Sequence, residues 1–170
     1  MPKSKKTAND EELEITIRTA TAEDVGAMWR LVHELATFER EPQEVITSPV
    51  SMLCDGFGTN PIYEAFVAAL EDGTIVGTAI YFYTYSTWKG RTMYLDDIVI
   101  TESYRRLGIG GLLFDAIIAK AKAEKVQRLS WQVLDWNAPA IAMYEKLGAE
   151  FLDEWITCRL TYEQLQAFPV

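Results

Sequence analysis

Hydrophobic and polar positions change period several times along the chain, and each change marks an element. Ile15 and Ile17 alternate with Thr16 and Arg18, the period-two pattern of a half-buried strand. Thr21 then offers a helix cap and Asp24 a charge suited to the positive helix end, while Val25, Met28, Trp29, Val32, Leu35 and Ala36 recur at helical spacing. The spacing predicts an amphipathic helix. Ser48-Pro49 reads as the cap and first turn of a second, short helix, stopped by Gly56. Residues 66–70 and 75–85 read as strands joined by the turn Glu71-Asp72-Gly73-Thr74, and a third strand follows to residue 100. The period then becomes helical at Ile109, Leu112, Leu113, Ala116 and Ile117, returns to a strand over 129–134, and ends in a helix between Pro139 and Gly148. The predicted class is α/β (α+β): a mostly antiparallel sheet joined to a parallel crossover, with flanking helices. Residues 1–14, polar and lysine-rich, read as a flexible arm, and 15–170 as a single domain.

Composition narrows what such a domain does. The 170 residues carry 16 Lys and Arg against 25 Asp and Glu, a net charge of −9, with 49% hydrophobic residues. That balance supports a folded core, disfavours nucleic acid, whose binders need Lys and Arg at the phosphates, and suits a small cationic partner. Cys54 and Cys158 read as free thiols of a cytoplasmic protein, because no leader-like segment opens the sequence, and no apolar run is long enough to enter a membrane. His33 is the only histidine, so no metal-ligand spacing exists and no metal is expected; His33 itself reads as a surface or packing residue. Trp29, Trp131, Trp136 and Trp155 read as core or interface residues.

The stretch richest in chemistry is Arg105-Arg106-Leu107-Gly108-Ile109-Gly110-Gly111, where a strand ends and an apolar helix begins. First-turn amides have no partner inside a helix, and glycines let a ligand come close, so a phosphate fits there. The spacing matches neither a P-loop nor the dinucleotide fingerprint. Taken alone, the glycines also fit a turn with close helix packing. Arg105-x-x-Gly108-x-Gly110 after a strand resembles the acetyl-CoA motif of the GCN5-related N-acetyltransferase (GNAT) family. That resemblance implies the GNAT fold, with a splayed parallel strand pair, and acetyl-CoA as cosubstrate. It implies that Ile98, Val99 and Ile100 present backbone to the pantetheine, that Arg106, Leu107, Gly108, Ile109, Gly110 and Gly111 hold the pyrophosphate, and that Asn137, Ala138, Pro139 and Ala140 line the other side.

Glu34-Leu35-Ala36-Thr37-Phe38-Glu39, Asp55-Gly56-Phe57-Gly58, the run from Ser86 through Trp88-Lys89-Gly90-Arg91 to Asp96-Asp97, and Val133-Leu134-Asp135-Trp136-Asn137 together resemble the diamine acetyltransferases, the branch of spermidine/spermine and thialysine N-acetyltransferases. The resemblance implies Tyr144 as the general acid at the departing sulfur, and a phenol of pKa about 10 holds its proton at neutral pH. Asp96 stands where relatives have a glutamate that accepts the amine's proton; one methylene shorter, it favours a water relay. Asp97 belongs on the opposite strand face unless a bulge turns it. Ser86 replaces an acidic anchor of polyamine-specific members. Phe38, Glu39, Trp88, Asp96 and Asp97, with Ser130, Trp131 and Gln132, form the expected substrate slot, to which Asp153 or Glu154 adds charge. A homodimer is expected, acting by direct transfer in a ternary complex. Other amines (a peptide N-terminus, lysine, an antibiotic) and a silent acyl-CoA-binding regulator stay open as alternatives.

Overall fold

The structure, a computed structural model, describes residues 3–6 and 12–169. The chain divides into two compact units, Met1–Gln132 and Val133–Val170. The first holds the whole sheet. Of the arm expected over residues 1–14, β1 (Lys3–Lys6) pairs antiparallel with the start of β2 (Glu12–Thr19), and the residues between them lie outside the described ones. Then follow α1 (Val25–Phe38), α2 (Pro49–Phe57), the meander β3 (Glu64–Leu70), β4 (Ile75–Ser86) and β5 (Gly90–Ile100), α3 (Ile109–Ala123) and a two-residue β6 (Leu129–Ser130). Strands lie side by side in chain order, antiparallel throughout except for the parallel β5–β6 pair.

Alternation along the strands separates the two faces. Ala65, Val67 and Ile80 turn to one side and bury Val25 and Met28 of α1 with Met52 of α2. Gly77, an odd number of positions from Ile80, faces the other way, where a Cβ would meet Leu113 of α3 at 3.3 Å. The helices α1 and α3 therefore cover opposite faces, and Met28, Leu31, Leu113 and Ile117 are fully buried between helix and sheet. At the C-terminal end of α3 a polar net fixes that helix to the sheet. Tyr81 donates to Glu64 at 2.9 Å, Lys120 lies 3.2 Å from Glu64 and 2.6 Å from Glu124, and Arg91 reaches Glu124 at 2.9 Å.

Local chemistry departs from the pattern reading at several ends. Thr21 does not cap α1 by itself: the Asp24 carboxylate accepts from the Thr21 N–H at 2.7 Å and takes a bidentate pair from Arg18 at 2.6 and 2.8 Å. Those contacts hold the Asp24 carboxyl down at about 2, the Arg18 hydrogen bond contributing most. Ser48 caps α2 as its sequence predicts, accepting from Ser51 N–H at 3.1 Å. Gly56 does not stop α2, which runs to Phe57; a side chain there would collide with the Tyr63 ring, whose hydroxyl donates to the Met52 carbonyl at 2.8 Å. Among the described residues no helix is long and apolar enough to cross a membrane. The second unit carries α4 (Ala138–Lys146) and α5 (Tyr162–Gln166). Cys54 and Cys158 are exposed free thiols.

Candidate active site

Between β5 and α3 the backbone makes a cradle of amides. Arg106 (φ 62°) and Gly108 (φ 75°) both turn left-handed, a conformation glycine adopts freely and arginine does not. The turn delivers the chain into α3 with Ile109 buried as its anchor and no side chain capping the first turn. The amides of Ile109, Gly110 and Gly111 therefore lack intrahelical partners and carry the positive end of the helix dipole. A Cβ at Gly111 would meet nothing within 4 Å, and one at Gly110 would meet only the Ile100 Cδ1 methyl at 3.2 Å. Space for an anion above these amides exists because the side chains are missing, and a pyrophosphate fits that donor set.

The neighbouring strand is left half-paired. The β5–β6 ladder consists of Met93↔Leu129 and Tyr94↔Ser130, so from residue 95 to 100 that edge of β5, including Ile98, Val99 and Ile100, has no strand partner among the described residues. The strand expected over 129–134 stops early. Trp131 sets its ring edge-on against Phe114 of α3, with centroids 5.1 Å apart.

The carboxylates gather at a bulge. Register runs Ile80↔Asp97 and then Tyr81↔Leu95, which leaves Asp96 as the extra residue of β5. A regular strand would have sent Asp96 and Asp97 to opposite faces; with the bulge, Asp97 feels the charges of both Asp96 and Glu39. Asp96 stays accessible and Asp97 is half-buried. Desolvation first, then those two neighbours, push the Asp97 carboxyl up to about 7. Burial also raises Asp96 and Glu39, to a smaller extent. With Asp97 close enough to feel the charges of Asp96 and Glu39, this strand end gives a cation several carboxylates to pair with.

Two ties bring the end of α1, which carries Phe38 and Glu39, onto this strand end. The Thr101 hydroxyl donates to Glu34 at 3.2 Å, and the Arg105 guanidinium lies over the Phe38 ring, 5.2 Å from its centroid, while its Nε donates to the Ile100 carbonyl at 2.9 Å. Sequence reasoning quotes Arg105 only as a motif letter and misses Thr101. No local signal marks the Thr101–Glu34 pair, whose members are 67 residues apart.

Other expected slot residues lie elsewhere in this unit. Trp88 is an exposed ring at the β4–β5 hairpin tip, and Ser86 spends its Oγ accepting the amides of Trp88 and Lys89 at 3.3 and 3.2 Å. Ser86 is six positions along β4 from Ile80, the partner of Asp97, which is about 20 Å of strand. Within one copy of the chain, Trp88 and Ser86 therefore do not join the Glu39, Asp96 and Asp97 group. Ser130, opposite Tyr94, stays near it, with Gln132 two residues on. His33 packs edge-on against Trp29, ring centroids 4.2 Å apart.

In the second unit, Asn137 caps α4 by accepting from the Ala140 amide at 3.4 Å, with Ala138 and Pro139 in the first turn. Tyr144, 4% exposed, sits in the same helix, and burial raises its phenol above the ordinary value, so it holds its proton throughout the neutral range. Asp153 and Glu154 are exposed.

A model described as "Acetyltransferase (GNAT) family" matches residues 28–149. The bovine (Bos taurus) thialysine N-epsilon-acetyltransferase is 37% identical over 147 residues, 82% of this chain and 86% of that protein. An L-ornithine N5-acetyltransferase of Arabidopsis thaliana is 29% identical, covering 89% of this chain and 86% of its own length. Among solved structures, the BH1408 protein from Bacillus halodurans superposes with a TM-score of 0.69 at 27% identity, over 85% of this chain and 99% of that one.

Proposed function

The chain belongs to the acetyltransferase (GNAT) family and is an N-acetyltransferase, and from that premise we propose that it passes acetyl from acetyl-CoA directly to a primary amine of a small cationic molecule, such as a thialysine-like amino acid, a diamine or a polyamine. The observation that carries the acceptor class is the grouping of Asp97 with the Asp96 and Glu39 charges at the bulge of β5, in the same strand end that leads to the amide cradle. Relatives named for thialysine and for L-ornithine support the same class, since both amino acids bear a side-chain amine.

Acetyl-CoA supplies the activated acetyl group. The amides of Ile109, Gly110 and Gly111 hold its pyrophosphate, and the half-paired edge of β5 aligns the pantetheine arm. Glu39 and Asp96 attract the ammonium group. Before attack the ammonium must lose a proton, since only the free amine has a lone pair; Asp96, through water, or Asp97 takes it. The amine nitrogen then forms a bond to the acetyl carbon as the carbon–sulfur bond breaks and the Tyr144 phenol gives its proton to the departing sulfur; the second proton, which the nitrogen sheds on becoming an amide, passes through water to restore the phenol. Neither cysteine lies in the motifs assigned to the cosubstrate, which supports transfer without a covalent enzyme intermediate. In the cell the reading places the enzyme in the cytoplasm as a homodimer.

Initial rates measured against both substrates, with thialysine as acceptor, test this reading. Double-reciprocal lines that intersect are expected from a ternary complex; parallel lines, or no CoA released with any amine, would overturn it.

A further inference from the structure

Arg105 stands at the junction of two regions that the proposed function assigns to different substrates. Its Nε hydrogen-bonds the Ile100 carbonyl at 2.9 Å, fixing the last residue of β5 just before the left-handed turn at Arg106 and Gly108. Its guanidinium covers the ring of Phe38, 5.2 Å away, at the end of α1 beside Glu39. The Thr101–Glu34 hydrogen bond is a second tie between the same two segments. A planar guanidinium suits this double duty, because its edge donates while its face stacks, and a lysine ammonium offers no such plane.

We infer that Arg105 is a positioning residue that couples acceptor-amine binding to CoA binding, by joining the Phe38–Glu39 end of α1 to the amide cradle at the start of α3. The inference rests on the acetyltransferase reading above. An ammonium drawn to Glu39 restrains the end of α1; the Phe38 ring then restrains Arg105, and with it the turn whose amides meet the pyrophosphate. Coupling between two binding sites is reciprocal, so the amine tightens CoA by the same factor as CoA tightens the amine.

Calorimetric titration with CoA, alone and with the best acceptor among thialysine, ornithine and spermidine at saturation, measures the coupling as a ratio of Kd values. In the wild-type protein the amine is expected to tighten CoA about fivefold. Phe38→Tyr, which keeps the ring, is expected to preserve the ratio. Phe38→Leu, titrated with the amine again brought to saturation for the variant and its fold checked by melting, is expected to bring the ratio close to one; the ring is part-exposed. Arg105→Lys, which keeps the charge and loses the plane, is expected to collapse the ratio as well. A wild-type ratio of one, or a Phe38→Leu protein that keeps the wild-type ratio, would overturn the coupling. A wild-type protein that gives no heat with CoA at all would instead overturn the acetyltransferase reading itself.

Discussion

At the scale of single residues, Asp97 makes the sharpest prediction. Its carboxyl titrates near 7 in the folded protein, raised by burial and by the Asp96 and Glu39 charges, against about 4 for an unfolded aspartate. Between those values the native state binds a proton that the unfolded state does not. The group therefore favours folding at low pH, and that contribution is lost as pH rises through 7. As proton acceptor it must be ionised, so kcat/KM should climb with pH up to about 7 and then level. Asp97→Asn should remove both the climb and the stability slope, as pH–rate profiles and melts from pH 4 to 8 would show; an unchanged acidic limb assigns the proton to Asp96 or water. Tyr144→Phe keeps a buried ring and deletes the hydroxyl, so kcat should fall by about 10²-fold while Tm shifts by only a few degrees. A rate within a few-fold of wild type would make Tyr144 a packing residue. Asp96, Asp97 and Tyr144 were all legible in the sequence as candidates. The arrangement of Asp96 and Asp97 was legible only as a condition, because the bulge depends on how β5 pairs with Tyr81 across the sheet, and nothing local to Asp96 encodes it.

Elements decide where the cosubstrate sits. The start of α3 was legible from its glycines only with the family resemblance beside them, since glycines alone also fit a turn with close helix packing; the structure adds an uncapped first turn and the left-handed Arg106 and Gly108 that lead into it. Gly110→Asp places a carboxylate among amides meant for an anion, and its Cβ asks only a few tenths of an ångström of the Ile100 methyl. The variant should lose CoA affinity by tenfold or more in calorimetry with a nearly unchanged melt; unaltered affinity in a folded protein would remove this helix end from the site. Where the sequence misled, tertiary packing was responsible. Gly56 looks like a helix stop and serves as the seat of the Tyr63 ring, and the segment 129–134 looks like one strand, yet Trp131 turns onto Phe114 after two paired residues.

For the whole molecule, charge and connectivity set the terms. The meander and its helices follow from period changes that any regular sheet would show, whereas the pairing of β1 with β2 rests on a polar, lysine-rich segment with no hydrophobic alternation to announce it. The expected substrate slot set Ser86 and Trp88, at the β4–β5 hairpin tip, beside Asp96 and Asp97 farther along β5, and only the register reveals that Ser86 sits about 20 Å along β4 from Ile80, the position facing Asp97. A net charge of −9 should draw cationic acceptors, so raising salt from about 50 to about 500 mM should lower kcat/KM several-fold through KM, and far less for a neutral amine. With Asp96, Asp97 and Glu39 gathered at one strand end, the carboxylates suit one ammonium better than several spaced ones, so short amines should be served better than long ones. The central claim is therefore tested most directly by kcat/KM for acetyl transfer to thialysine, ornithine, a short diamine, spermidine and spermine under one set of conditions. The account predicts measurable turnover with thialysine or a short diamine ranked above spermine; spermine as the best acceptor would contradict the substrate reading, and no acetylated product from any of them would contradict the function.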